Sequence, residues 1–399
     1  MSSARSLHLP AGFWFSAVRA GIKASGRLDL ALAEAAPGTI AAAVFTKNRV
    51  IAAPVEIGRK HLGTAGGKVR AIVVNSGNAN CATGRAGFLN CIRICRETAQ
   101  LLGVATVQIF PSSTGIIGVP LRAERILAKL PELIAQLKPS AHAVMQFACA
   151  IMTTDSRPKV ASTELRAGRK RVRLLGIAKG SGMIHPQLAT MLVYLFTDVI
   201  ATPTELNACL RSACDGTFNC ISVDGDTSTN DTVLLMASGR SGIRGTTVKD
   251  KFQAALGEVC RSLAEQIVAD GEGVQHVMRL SIERAKNREE ALQVARTIAR
   301  SLLVKTSWAG ADPNWGRVLA AIGACGAPID PNKIDIWIGQ QIVCRNGVCC
   351  TFDKPQAHAE LARPSCAIRI ILHRGRASAE FLTTDLTVEY VRINADYST

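Results

Sequence analysis

Acidic residues are scarce in this sequence. Its 399 residues include 31 Asp and Glu against 47 Lys and Arg, a formal net charge of +16. Such an excess attracts anions without saying anything about fold. Aromatic residues are also few, at 5%. With the basic residues spread along the chain, too few stacking platforms remain for a nucleic-acid binder, so an anionic metabolite or plain solubility is the better reading of the charge. No apolar stretch approaches the ~18 residues that a membrane-spanning helix needs, so no membrane partner is expected. The 13 cysteines contain no CxxC pair, which removes support for a zinc ribbon or a thioredoxin-type site. The seven histidines show neither HxxxH nor HxH spacing, and no bound metal is expected. Low-complexity tracts, repeats, charge blocks and linkers are missing too.

The chain does have a generous apolar fraction, 48%, with 20% charged residues, which excludes disorder. Its length suits two or three domains or one large α/β core. Many cysteines sit inside apolar segments (Cys91, Cys95, Cys149, Cys209, Cys260, Cys325) and read as buried, reduced thiols of a cytosolic protein. Cys344 and Cys349 flank a turn at Arg345-Asn-Gly-Val348 and could face each other across it. Met1 to Leu28 lacks acidic residues and carries several Ser and Arg, the composition of a transit peptide. It has no apolar region followed by a small-residue cleavage site, and a cytoplasmic location is expected.

Strand-like and helix-like patterns alternate. Arg70 to Asn75 reads as a buried strand entering the turn Ser76-Gly77-Asn78, and apolar spacing predicts a helix from about Ala86 to Leu102. Thr202-Pro-Thr-Glu205 is a helix start with a capping box. Phe252, Leu256, Val259, Leu263 and Ile267 mark one helix face, ended near Gly271. Asn287 with Glu290 begins another, reaching about Leu303. Strands are expected at 172–178, 188–196, 232–238 and 367–374. Mixed elements without strict βαβ order argue for layered α/β.

The common signatures fail. In Gly63-Thr-Ala-Gly-Gly-Lys68, Leu62 stands where a phosphate-binding loop needs Gly and Val69 where it needs Ser or Thr. Ser181 has Lys179 where a nucleophile elbow needs Gly. The acidic run Asp224 to Asp231 lacks the glycine and terminal glutamate of a calcium loop and reads as a solvated turn before the strand at 232. One stretch stands apart, Lys179-Gly-Ser-Gly-Met-Ile-His-Pro-Gln-Leu-Ala-Thr190-Met-Leu192. Taken plainly, it is a loop before a buried strand. Chemically, a Thr hydroxyl becomes a nucleophile if a base sits beside it, and its own α-amine serves once the preceding peptide bond is cut. That amine has an unperturbed pKa near ~7.7–8.0, so part of it is free to take a proton at neutral pH.

This stretch resembles the self-cleavage motif of the ornithine acetyltransferase family, also described as glutamate N-acetyltransferases. Further stretches match the family in order: Gly21 to Leu32, Asn75 to Asn80, Ser113 to Gly118, Met152 to Lys159, Ile221 to Thr232, Asp270 to Gly273, Asp312 to Arg317 and Ile393 to Thr399. The pattern starts around Pro10, leaving too few residues for a separate transit peptide. The resemblance implies an α-β-β-α sandwich and cleavage between Ala189 and Thr190. The products would be an α chain of 1–189 and a β chain of 190–399, assembled as an α2β2 heterotetramer. It implies a ping-pong cycle in which Thr190 takes acetyl from N-acetylornithine and passes it to glutamate. Thr114 and Gly115 match the oxyanion hole; Thr153, Lys179, Thr190, Glu272, Asn394 and Thr399 match substrate-binding positions. The motif leaves Thr153 and Thr154 as alternatives, with spacing favouring Thr153. No cofactor is expected to stay bound. Acetyl-CoA as a second donor is left open by the motifs, with bifunctional use favoured. His185, Gln187 and Leu188 depart from residues common in the family near the cleavage point. The competing reading is an N-terminal-nucleophile amidase or aminopeptidase that releases its acyl group to water.

Overall fold

The computed structural model describes residues 7–185 and 191–396. One sheet is ordered β1 (Phe13–Val18), β2 (Leu30–Ala35), β4 (Ala71–Asn78), β5 (Ile109–Ile116). A second is ordered β3 (Ile40–Phe45), β9 (Thr232–Ala237), β8 (Leu192–Thr197), β7 (Lys170–Lys179), β6 (Lys159–Ala167). Within them only the β4–β5 and β8–β9 pairs are parallel.

Alternation along these strands decides the layering, because successive side chains point to opposite faces. Phe13, Phe15, Ala31, Ala33, Ile72 and Val74 of the first sheet share a core with Leu175, Ile177, Tyr194, Phe196, Leu234 and Met236 of the second. The intervening residues face outward to helices. Leu30, Leu32, Ala71 and Val73 meet α2 (Gly84–Leu102) and α3 (Ala123–Ala135). Val172, Leu174, Val193, Leu195, Val233 and Leu235 meet α5 (Pro203–Asp215) and α6 (Lys249–Val268). The layers are thus α-β-β-α, as expected. The few aromatics concentrate between the sheets, where alanines on β2 leave them room. Phe196 lies edge-on to Phe13 and Phe15 at 5.1 and 5.0 Å, and Phe147 of α4 (Ala141–Ala150) packs against Tyr194 at 5.7 Å. The remaining helix of this half, α1 (Ala53–Thr64), lies against β5.

A third sheet has its own core and was not anticipated as a unit. Its order is β13 (Val348–Cys349), β12 (Gln341–Arg345), β11 (Asp335–Ile338), β14 (Ser365–Ile371), β10 (Val277–Ala285), β15 (Ala377–Thr384). The helices α7 (Arg288–Arg300), α8 (Leu302–Ala309), α9 (Trp315–Gly323) and α10 (Lys354–Leu361) supply the rest of that core. The last helix, α11 (Val388–Asp396), follows β15 directly.

The Thr202–Glu205 capping box is present. The helix begun at Asn287 ends at Arg300, short of Leu303, because the Ser301 side chain accepts from Val304 N and starts a new helix. The strand after Arg70 runs on to Asn78, where parallel pairing with β5 carries it through Gly77 opposite Gly115. Part of the strand expected over 188–196 lies outside the described residues. Cys344 and Cys349 are register partners, and all 13 thiols are free. Among the described residues no helix is long and apolar enough to cross a membrane.

Candidate active site

At one end of the sandwich the C-terminal ends of β4, β5 and β7 meet the start of β8, where Leu192 lies opposite Lys179. A cavity of about 130 Å³ opens there. Thr114, Gly115, Thr153, Lys179, Glu272 and Asn394 all line it, so six positions spread over 280 residues of sequence converge. Thr190, Ala189 and Thr399 lie outside the described residues.

Backbone requirements explain the glycine. Gly115 has φ +130°, and a Cβ there would collide with the backbone of Gly77 and Asn78. Only glycine lets β5 approach β4 so closely. The adjoining Asn75–Asn80 motif forms a cradle. Ser113 Oγ donates to Asn75 Oδ1 at 2.6 Å, and Asn75 Nδ2 donates to Asn78 O at 2.9 Å. Asn230 Nδ2 ties this cradle to the second sheet, donating to Ala79 O at 2.6 Å and Ser113 O at 2.8 Å.

Lys179 Nζ donates to Thr114 Oγ1 at 3.3 Å, which leaves the Thr114 O–H free to donate in another direction. Burial lowers the Lys179 pKa, opposed by the Asp155 charge. Behind it lies a buried ionic cluster: Lys159 Nζ bonds Asp155 Oδ1 at 2.6 Å and Asp270 Oδ2 at 2.5 Å. Burial pushes the Asp155 carboxyl up, but Lys179, Lys159 and the Gly180 amide outweigh it and hold the group down at about 2. Asp155 also accepts from Thr153 N and Gly180 N at 3.0 and 2.7 Å, so one carboxylate sets two cavity-lining segments.

The two threonines differ. Thr154 Oγ1 is engaged by Ser181 Oγ at 2.7 Å, whereas no hydrogen bond of the Thr153 hydroxyl is found among the described residues. On the far wall Asn394 Nδ2 donates to Glu272 Oε2 at 2.9 Å. Glu272 enters the third sheet just before β10 and α11 leaves it just after β15. These strands are neighbours, with Val277 opposite Thr384, which brings Glu272 and Asn394 together. Thr387 Oγ1 fastens the start of α11 by donating to Gly273 O at 2.7 Å.

A family model described as the ArgJ family matches residues 14–399. The chain belongs to the ArgJ family. An arginine biosynthesis bifunctional protein ArgJ from Methylococcus capsulatus is 42% identical over 395 residues, covering 98% of this chain and 96% of its own. The Thermus thermophilus protein of the same name is 43% identical over 394 residues, covering 99% and 100%. Among solved structures, the Bacillus halodurans arginine biosynthesis bifunctional protein matches at 38% identity and TM-score 0.49, over 50% of this chain and 96% of that one. The Mycobacterium tuberculosis ornithine acetyltransferase, solved with ornithine, matches at 36% identity and TM-score 0.41, over 46% and 96%.

Several residues of this ArgJ-family chain that shape the cavity went unassigned in the sequence. The run Asp224–Asp231 is only partly a solvated turn: Asp226 is exposed, but Thr229, Asn230 and Asp231 are buried. Asp224 accepts from Met183 N and Ile184 N at 2.5 and 2.9 Å, Asn230 is buried, and burial pushes the Asp224 carboxyl up to about 6. Asp224 therefore clamps the segment that leads into residues 186–190. Tyr390 also lines the cavity; burial and the nearby carboxylates of Asp224 and Glu272 raise its pKa. A lone Tyr in a C-terminal stretch carries no sequence signal, but the acidic run does. Its polar residues sit just before a strand that is apolar from Val233 to Ala237, at a sheet end.

Proposed function

We propose that this chain is an acetyltransferase of arginine biosynthesis that matures by cutting itself between Ala189 and Thr190. The single observation that carries this is the convergence of Thr114, Gly115, Thr153, Lys179, Glu272 and Asn394 on one cavity. β8, the strand that follows Thr190 in the chain, pairs with β7 so that Leu192 lies opposite the cavity-lining Lys179. Family membership supports the reaction class.

In this reading the Thr190 hydroxyl attacks the Ala189 carbonyl, the resulting ester is hydrolysed, and α and β chains 1–189 and 190–399 result. The freed α-amine then takes the proton of the Thr190 hydroxyl as it attacks the acetyl carbonyl of N-acetylornithine. Thr114 O–H and the Gly115 N–H face the developing oxyanion, an effect commonly worth about 3 kcal/mol. Ornithine leaves, glutamate enters, and its amine collects the acetyl group. Lys179 suits a substrate carboxylate, Glu272 a substrate ammonium, and Thr153 supplies the uncommitted hydroxyl. Asn394 and Thr399 are the remaining substrate-binding positions in this reading. We further assign acetyl-CoA as a second acetyl donor, an α2β2 assembly and a cytoplasmic location.

The test is mass spectrometry of the purified protein. Two chains are expected, the second beginning Thr-Met-Leu-Val. Incubation with N-acetylornithine alone should leave one acetyl group on Thr190, and glutamate should discharge it. An intact, fully active polypeptide would overturn the maturation step. Free acetate released at the same rate with and without glutamate would make the enzyme an amidase instead.

A further inference from the structure

A second cavity, of about 570 Å³, lies beside the first. One face of α7 forms its wall: Gln293, Arg296, Thr297 and Arg300 follow the i, i+3, i+4, i+7 spacing of a single helix stripe. Ala321 and Ala324, small residues at the end of α9, line it opposite. Among the described residues, no acidic side chain lines it.

Its two guanidiniums are under-used. Arg296 pairs through Nη1 with the exposed Glu289 at 2.9 Å, but among the described residues its buried Nε has no partner. A buried donor without a partner is costly, so an unfilled Nε points to a missing acceptor. Among the described residues no hydrogen bond or ion pair engages the Arg300 guanidinium. His185 also lines the cavity. Its Nδ1 is held at 3.2 Å by Ser222 Oγ, which itself donates to Ile184 O, so Nδ1 carries the proton. Burial and the two arginines push its ring pKa down to about 4, so His185 is neutral near pH 7. The cavity's field therefore comes from Arg296 and Arg300. Planar N–H forks match phosphate oxygens, and charge-assisted pairs of this kind are the strong hydrogen bonds.

The loop around Gly225 touches both cavities. A Cβ at Gly225 would lie 3.2 Å from Arg300 Cγ, while its neighbours Asp224 and Asp226 line the first cavity. His185 follows Met183, another residue of the first cavity, by two positions.

We propose that the Arg296–Arg300 cavity binds the phosphate groups of a phosphate-bearing acyl donor whose acyl end reaches the first cavity. The coenzyme A thioester is the donor of that chemistry to which we commit. The proposal rests on the acetyl-transfer reading above. In the step it serves, the Thr190 oxygen forms an ester bond with the acetyl carbon as the carbon–sulfur bond breaks. The hydroxyl proton passes by way of the Thr190 α-amine to the departing thiolate. The acetyl group then goes to the glutamate amine as before.

Isothermal titration of the self-processed enzyme tests this with three probes: coenzyme A, 3′-dephospho-coenzyme A and inorganic phosphate. Coenzyme A should bind wild type, and Arg300→Gln should weaken it roughly tenfold, in keeping with loss of one charge-assisted hydrogen-bond set. Because the Arg300 guanidinium makes no hydrogen bond or ion pair among the described residues, that variant should fold normally, which thermal melting checks. KM for acetyl-CoA in glutamate acetylation should rise by a similar factor, with kcat/KM for acetylornithine within twofold of wild type. Adding Arg296→Gln should deepen the first effect and spare the second. If Arg300→Gln bound coenzyme A as wild type does, the proposal would be wrong. It would be equally wrong if inorganic phosphate bound at this site while coenzyme A did not. Wild type that turned over acetylornithine but bound no coenzyme A would sink this proposal alone, whereas wild type inactive on acetylornithine would remove the acetyl-transfer reading beneath it.

Discussion

The sandwich and the third sheet both reach the candidate active site, but they bring different things to it. From the sandwich come Thr114 and Gly115 on β5 and Lys179 on β7, placed by strand register and by backbone approach that tolerates little change. From the junction with the third sheet come Glu272 and Asn394, placed by two short connections at the ends of β10 and β15 and tied by one hydrogen bond. The sandwich holds the pair suited to bond making, Thr114 and Gly115, beside one substrate contact, Lys179. The less constrained part holds groups suited to telling one substrate from another. Damage to the first should therefore appear in kcat and damage to the second in KM.

The largest effect should come from Thr190→Ala. That protein should stay a single chain and show only background activity, checked by denaturing electrophoresis and an acetyl-transfer assay. Next, Thr114→Ala should lower kcat roughly ten- to a thousandfold with KM little changed, the range for losing one oxyanion donor. A change confined to KM would break the division of labour. Deleting Asn394 to Thr399 should do the reverse. The Glu272 carboxylate loses its Asn394 partner and substrate loses polar contacts, so KM for N-acetylornithine should rise at least roughly tenfold, a cost of about 1–3 kcal/mol. Self-cleavage should survive the deletion, because it needs only Thr190, the Ala189 carbonyl and the oxyanion donors. Unchanged KM would make the tail an ordinary frayed end.

The smallest effect concerns pH. The Asp155 carboxyl is held at about 2 in the folded protein, below its ordinary value near 3.8. A depressed acid stabilises the fold above its unfolded pKa and loses that contribution as pH falls through the folded one. Urea midpoints should accordingly decline as pH drops from about 4 to about 2, and Asp155→Asn should flatten that decline. Asp155→Asn also leaves Lys159 with only Asp270, so the variant should be less stable at pH 7. An unaltered acid slope would mean that Asp155 does not carry this dependence.

Much of this was legible in the sequence because it is local. The Thr202–Glu205 cap, the buried run into β4 and the apolar faces of α2 and α6 each follow from residues within one or two turns of one another. The oxyanion and substrate positions were legible through motif resemblance, not through spacing. What escaped depends on partners far apart. Lys159 meets Asp270 across 111 residues, and Asn230 meets Ala79 across 151. Asp224 looked like a solvated acid because a carboxylate's burial depends on which loop covers it. Here the covering loop is Met183–Ile184. Likewise β11, β12 and β13 of the third sheet are short, and β10 pairs with β14 and β15 only after helices α7 to α10 have been laid down between them in sequence.

The order of the second sheet has a further consequence. β3, β7 and β6 precede residues 186–190 and β9 and β8 follow them, yet the order is β3-β9-β8-β7-β6. Later strands are thus zipped between earlier ones on both sides. A cut between residues 185 and 191 would release no fragment, since parting the pieces means tearing two hydrogen-bonded seams and the core beneath them. Such a protein would migrate as one species until denatured. Once unfolded, its halves would have to find each other again by diffusion. Recovery would then slow on dilution, whereas an uncut chain would refold at a rate indifferent to concentration.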